Sequence, residues 1–170
     1  MYLALDVQYK DDTATVAGIT FDNPASPKEF EIFISKVDNV APYESGHFYK
    51  RELPCLLTLI QDHDLSPSLI IIDGFVHFGH IEKMGLGMHL YNGLERKIPI
   101  IGVAKNPFKN TPKEAEIFRP SSKTPLYITS VGYPIDDAKQ FVLSMHGKYR
   151  IPTMLKLVDS AARGLIHESR

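Results

Sequence analysis

Apolar and polar side chains take turns through the first stretch of the chain. In MYLALDVQY (1–9) Leu3, Leu5 and Val7 share one face, TATVAGITF (13–21) repeats the pattern, and EFEIFIS (29–35) alternates cleanly. A period of two over runs of this length predicts three strands. Asp11 and Asp12 supply the first turn, and Pro24 and Pro27 break the chain before the third strand. Connections this short predict an antiparallel meander.

The period then changes. KRELPCLLTLIQDH (50–63) places apolar residues at 53, 56, 57, 59 and 60, which is helical spacing, with Pro54 tolerable in the first turn. SLIIID (68–73) is a continuous apolar run of the kind found in a strand covered on both faces. KMGLGMHLYNGLERK (83–97) predicts a helix weakened by three glycines, IPIIGVAK (98–105) a buried strand, and PLYITS (125–130) a shorter one. IDDAKQFVLSMHG (135–147) and PTMLKLVDSAARGLIHE (152–168) close the chain as two helices, the first ending at Gly147. A meander followed by alternating helices and strands predicts one α/β domain over residues 1–170. Its expected architecture is a ribonuclease-H-like mixed sheet, an antiparallel three-strand meander plus parallel strands, with helices on both faces.

Composition narrows the function classes. The single cysteine, Cys55, excludes a disulfide framework and a cysteine-based zinc site within the chain. No apolar run reaches membrane-spanning length and no basic-then-apolar leader opens the sequence, so a cytoplasmic protein that does not engage membranes is expected. The net charge of -1 conceals an asymmetry, with 6 Lys/Arg against 13 Asp/Glu in residues 1–85 and 13 against 7 in residues 86–170. The second half can therefore hold a basic patch for nucleic acid, although a solvated surface explains the same excess.

Candidate chemistry lies in four carboxylates. Asp6 interrupts an apolar strand between Leu5 and Val7, and Asp73 ends another beside Gly74. A charge in either place is costly to bury unless it is paired or bound to a metal. Glu52 falls in the first turn of the first helix, and Asp159 sits in the small, apolar context LVDSAA. Taken singly, each has an ordinary structural explanation, such as a turn cap, a helix N-terminal charge or an i,i+4 pair with Arg163. Taken together, carboxylates from several elements are what hard divalent ions require for phosphodiester cleavage.

Seven short motifs in order give the chain a resemblance to the endonuclease V family, nucleases that act at deaminated adenine (inosine). DVQY (6–9) resembles the family's D-V-S-Y, and PYESGHFYKRELP (42–54) its P-Y-I-P-G-x-L-x-F-R-E-x-P. IIIDG (70–74) resembles V-D-G, GLGMHL (85–90) resembles G-L-A-x-H-L, and IPIIGVAK (98–105) resembles I-P-T-I-G-V-A-K, while PLYIT and YRIP also have counterparts. The resemblance implies hydrolysis of a phosphodiester bond 3′ to inosine in DNA or RNA, with Mg²⁺ (or Mn²⁺) as cofactor and a monomeric enzyme. It implies that Asp6, Glu52 and Asp73 hold the metal, with Asp159 beside them and Lys105 reaching a phosphate. Tyr43 would be the wedge that fills the gap left by an extruded base. Gly46, Phe48, Gly74, His80, Gly85 and Leu86 would line the pocket for that base.

The sequence also departs from the family pattern. Glu44 and Ser45 replace an apolar residue and a proline in the wedge segment, which puts a negative charge near the nucleic acid. The loop after Gly74 is one residue longer, so the family's histidine falls on His80 or on His77. Three other readings compete: a related ribonuclease-H-like nuclease with relaxed or structure-dependent specificity, a non-catalytic nucleic-acid binder, and a zinc site built from His77, His80 and His89. The intact carboxylate set argues against the binder, and the histidine spacing is weak for zinc.

Overall fold

A computed structural model describes residues 1–45, 47–79 and 83–169. The meander forms as expected: β1 (Tyr2–Lys10), β2 (Thr13–Phe21) and β3 (Phe30–Val37) pair antiparallel, with Leu5 opposite Gly18 and Ile19 opposite Ile32. The chain then crosses through α1 (Phe48–Asp62) to β4 (Leu69–Asp73), and through α2 (Leu86–Gly93) to β5 (Ile100–Ala104). β4 lies parallel to β1, and β5 lies parallel to β4. A two-residue strand β6 (Glu116–Ile117) and β7 (Leu126–Val131) complete the far edge, β7 running antiparallel to β5. Helices α3 (Ile135–Ser144) and α4 (Thr153–Ala162) end the chain. The sheet order is β3-β2-β1-β4-β5-β7-β6, a ribonuclease-H-like mixed sheet.

Each face of the sheet carries its own core. Leu3, Leu5, Val7, Ile70 and Ile72 pack under α1 and α2 with Leu56, Leu59 and Leu90. Ala4, Ile71, Ile101 and Ile128 face the other way, against Phe141, Val142, Met154 and Val158 of α3 and α4. The unbroken apolar runs of β4 and β5 follow from this double coverage. Gly102 is demanded by its surroundings, since a Cβ there would stand 2.5 Å from the carbonyl oxygen of Gly74 and 2.8 Å from Thr129 Oγ1. No described helix is long and apolar enough to cross a membrane.

Several boundaries differ from expectation for identifiable reasons. α1 starts at Phe48, so Glu52 lies in its second turn and Pro54 in its interior. Pro54 is exposed, and on that side solvent can take over the carbonyl that loses its helical donor. α2 is only eight residues long and begins after Gly85, because the loop before it packs on its first turn: Gly87 N–H donates to the Phe75 carbonyl at 3.1 Å and Met88 N–H to the Val76 carbonyl at 3.2 Å. α3 stops at Ser144, three residues before Gly147, whose φ of 140° instead lets the chain pass over Arg119. β6 and the 3₁₀ turn before it (Lys113–Ala115) are too short to show any periodicity.

Candidate active site

β1 is central, flanked by β2 and β4, and this decides where Asp6 goes. The register pairs Leu5 with Ile72, so Asp6 and Asp73 come side by side one step beyond the last ladder pair. Strand parity then sets their direction. Asp6 follows Ala4 and Asp73 follows Ile71, so both carboxylates leave the sheet on the α4 face. Asp159 comes down from α4 to meet them, within hydrogen-bonding reach of Asp6. Asp6, Asp73, Lys105 and Asp159 line one cleft, walled by Ile151, Leu155 and Val158. Glu52 arrives from the helix on the opposite face and reaches around the ends of the strands, close enough to feel the charge of Asp73.

These carboxylates crowd one another. Burial first, then the Asp73 charge, pushes the carboxyl of Asp6 up to about 7, against a partial offset from the Val7 N–H that it accepts at 2.9 Å. Burial and then Asp73 likewise push Glu52 up to about 7. Two cations temper the crowding from the edges. Lys105 Nζ stands 3.3 Å from Asp73 Oδ2, and Arg163 Nε pairs with Asp159 Oδ2 at 2.9 Å. Gln8 Nε2 makes a longer contact, 3.4 Å, with the other oxygen of Asp159. Among the described residues, no three histidine, cysteine or acidic side chains are grouped closely enough to hold a metal ion as they stand. The donors are nevertheless all hard oxygens, two of them deprived of water by burial, and such a set suits a divalent ion of the Mg²⁺ type.

Other expected residues fall around this cleft in different ways. Gly74 has a φ of 135°, which L side chains rarely adopt, and a Cβ there would meet nothing within 4 Å. Open space thus adjoins Asp73. Gly85 is small for another reason, because a Cβ would stand 2.5 Å from the Phe75 carbonyl oxygen, and its N–H is already donated to the Val76 carbonyl at 2.9 Å. Leu86 is half-buried against the α1–α2 core. Tyr43 and Phe48 meet edge to face with ring centroids 5.3 Å apart, and both are largely exposed. Glu44 is not a bare charge, since Lys50 Nζ lies 3.4 Å from its carboxylate. Gly46 and His80 lie outside the described residues. Of the zinc candidates, His89 stacks on Tyr49 with centroids 3.7 Å apart, and the Nδ1 of His77 is buried without a partner among the described residues.

Four further residues are not among the candidates that the sequence offers, although Tyr9, Arg51 and Arg150 stand in quoted motifs. Tyr9 closes the DVQY motif, and the guanidinium of Arg51 lies 3.7 Å over its ring, next to Glu52. Burial, then the nearby Glu52 charge, raises the Tyr9 phenol well above its ordinary value. Arg150 donates to the carbonyls of Lys105 and Pro125, the latter at 2.8 Å, and so ties the end of β5 to the start of β7. Arg119 is 2% exposed and donates to the carbonyls of Val142, Met145, Gly147 and Tyr149 at 2.8–3.0 Å. An arginine in a loop reads as surface charge until its carbonyl partners, distant in sequence, are known.

Comparison with known proteins bears on the family and the fold. The sequence model of endonuclease V matches residues 2–135. The endonuclease V of Pyrococcus horikoshii is 29% identical over 97% of this chain and 74% of its own. The crystal structure of the Streptomyces avermitilis endonuclease V is 27% identical and superposes with a TM-score of 0.75, covering 96% of this chain and 79% of that one. An endonuclease V from Ciona intestinalis, solved with a 24-mer DNA containing an inosine followed by a ribo-adenosine, shares the fold at 21% identity and a TM-score of 0.77, covering 96% of this chain and 84% of that one. The match of the family model to residues 2–135, most of the chain, establishes that the chain belongs to the endonuclease V family.

Proposed function

We propose that this protein is a Mg²⁺-dependent endonuclease that hydrolyses the phosphodiester backbone of nucleic acid 3′ to inosine. One observation supports the reading above the rest: adjacent parallel strands bring Asp6 and Asp73 to one cleft, where Asp159 and Lys105 join them, with Glu52 near enough to feel the Asp73 charge. Asp6, Glu52 and Asp73 would hold the cation, and it would supply Lewis-acid activation of a water and of the scissile phosphate. Asp159, which contacts Arg163 and Gln8, would orient a water against the phosphate. Lys105 would exchange its contact with Asp73 for one with a phosphate oxygen. Gly74 leaves room beside Asp73 for the edge of an extruded base, and Tyr43, whose ring meets that of Phe48, offers an exposed ring for the gap that the base leaves.

The deciding assay compares a duplex carrying one inosine with its inosine-free control, with and without Mg²⁺. Cleavage of the inosine strand that requires Mg²⁺ is expected, and equal cutting of both duplexes would favour the relaxed-specificity nuclease instead. Lys105→Ala is expected to slow cleavage and to lower the slope of log affinity against log salt by about one phosphate contact. A rate and slope that both stay put would leave Lys105 as no more than the ion-pair partner of Asp73.

The wedge segment bears on specificity. Without the family's proline the backbone around Ser45 is less restrained. The exposed pair of Glu44 with Lys50 stiffens it little, since such pairs are worth about 0–1 kcal/mol. Glu44→Ile/Ser45→Pro is therefore expected to raise the ratio of cleavage at inosine to cleavage of unmodified duplex, read from initial rates on the two substrates. Tyr43→Ala should lower cleavage at inosine, and an undiminished rate would mean that the loop never reaches the lesion.

A further inference from the structure

The segment running from Gly147 into α4 borders the cleft, and the proposed reaction makes no use of it. Its exposed aromatic is Tyr149, with 63% of its surface open to solvent. Exposed aromatics occurring singly are ordinary. What distinguishes this one is that the backbone on both sides of it is pinned. Arg119 Nε donates to the Tyr149 carbonyl at 3.0 Å, and Arg150 is held by the carbonyls of Lys105 and Pro125. The ring is therefore presented from a fixed support, which lowers the ordering penalty of any contact it makes.

A cation accompanies the ring. Lys156 Nζ lies 5.2 Å from the Tyr149 ring centroid. Lys156 belongs to α4, where Met154, Val158, Ala161 and Ala162 turn inward. Helical geometry puts Lys156, Asp159 and Arg163 along one stripe, with Lys156 and Arg163 separated by about 10 Å of helix rise. That is roughly three nucleotides of a strand at about 3.4 Å each. Continuity with the cleft is direct: Ile151 and Leu155 form its wall, two and six residues beyond Tyr149, and Asp159 of the same stripe is one of its carboxylates.

We propose that Tyr149 and Lys156 form a landing for an unpaired stretch of the substrate strand as it leaves the cleft, Tyr149 stacking on a base and Lys156 meeting the adjoining phosphate. The inference rests on the nucleic-acid reading of the cleft. An apolar peptide would gain little from the lysine, and a lipid surface would not reach along a cleft wall. A nucleotide strand uses the flat ring and the cation together.

The chain contains no tryptophan, so Tyr149→Trp introduces a single emitter at the platform. This variant is titrated, in EDTA to prevent cleavage, with an end-labelled single-stranded oligonucleotide and, separately, with a blunt duplex of the same sequence. Label anisotropy reports binding and tryptophan emission reports stacking. Emission is expected to fall along the same curve as the anisotropy rises with the single strand. In the otherwise unaltered chain, Tyr149→Ala should weaken single-strand binding about tenfold. Tyr149→Phe should retain it, and Lys156→Ala should lower the salt slope by about one contact. Anisotropy that rises while emission stays constant would overturn the platform and leave the nucleic-acid reading standing. Quenching by duplex alone would also overturn it. If neither nucleic acid changes the anisotropy, the reading of the cleft falls and takes the platform with it.

Discussion

Asp73→Asn is expected to abolish cleavage while leaving nucleic-acid binding within a few-fold of the unaltered protein. The substitution keeps shape and removes one charge from the centre of the carboxylate group, the position that both Asp6 and Glu52 feel. A divalent ion among these residues would lose a full negative ligand. The expected fall in single-turnover rate is at least about a thousandfold, or about 4 kcal/mol of transition-state stabilisation. Binding should persist because phosphate contacts supply most nucleic-acid affinity, and Asp73 makes none. Stability should barely change, since the pair with Lys105 is more than 40% exposed on both sides and exposed pairs contribute little. The measurements are single-turnover cleavage of an inosine duplex with Mg²⁺ and anisotropy of the same duplex without it. A near-parental rate would remove Asp73 from the metal site, and lost binding would show that the substitution disturbs more than the metal.

Arg119→Met is expected to bring the largest loss of stability of any single substitution considered. The guanidinium satisfies four carbonyls that converge where α3 ends and the 145–149 turn begins. Methionine fills similar volume but donates nothing. Buried carbonyls left without a donor cost roughly 1–3 kcal/mol each, and relaxation of the turn will recover part of that, so a net loss of about 3 kcal/mol is expected. For a chain of this size that corresponds to a fall in melting temperature of roughly 6–12 °C. Thermal unfolding followed by circular dichroism checks it, and a shift under about 2 °C would mean that the turn does not depend on the arginine. Because Tyr149 is one of the four, the same variant should also loosen the support of the proposed platform.

The contrast between these two residues marks how far the chain could be read in advance. Asp73 was visible because a carboxylate at the end of LIIID contradicts its own surroundings, and a residue that violates the local pattern signals a site. Asp6 announced itself in the same way, and the alternation around it also indicated which side chains share its face. Glu52 gave only half its information. Its motif marked it, but its helix lies on the opposite face of the sheet from Asp6 and Asp73, and only the length of α1 and the place where it starts bring the carboxylate around the strand ends. Arg119 showed nothing at all, since its partners are carbonyls, a group that every residue carries.

Hydrophobic periodicity thus determined the elements of this protein, because burial of one face in two strand residues or in 3.6 helical residues is a local requirement written at each position. It also brought out the carboxylates, since a charge in an apolar run stands against that requirement. The strand order, the meeting of Asp6, Asp73 and Asp159 at one cleft, the ends of α1 and α3, the short edge strand β6 and the pinned exposure of Tyr149 were decided by tertiary structure. They depend on backbone hydrogen bonds and charge pairs between residues dozens of positions apart, and neither kind of contact leaves a periodic trace in the chain that makes it.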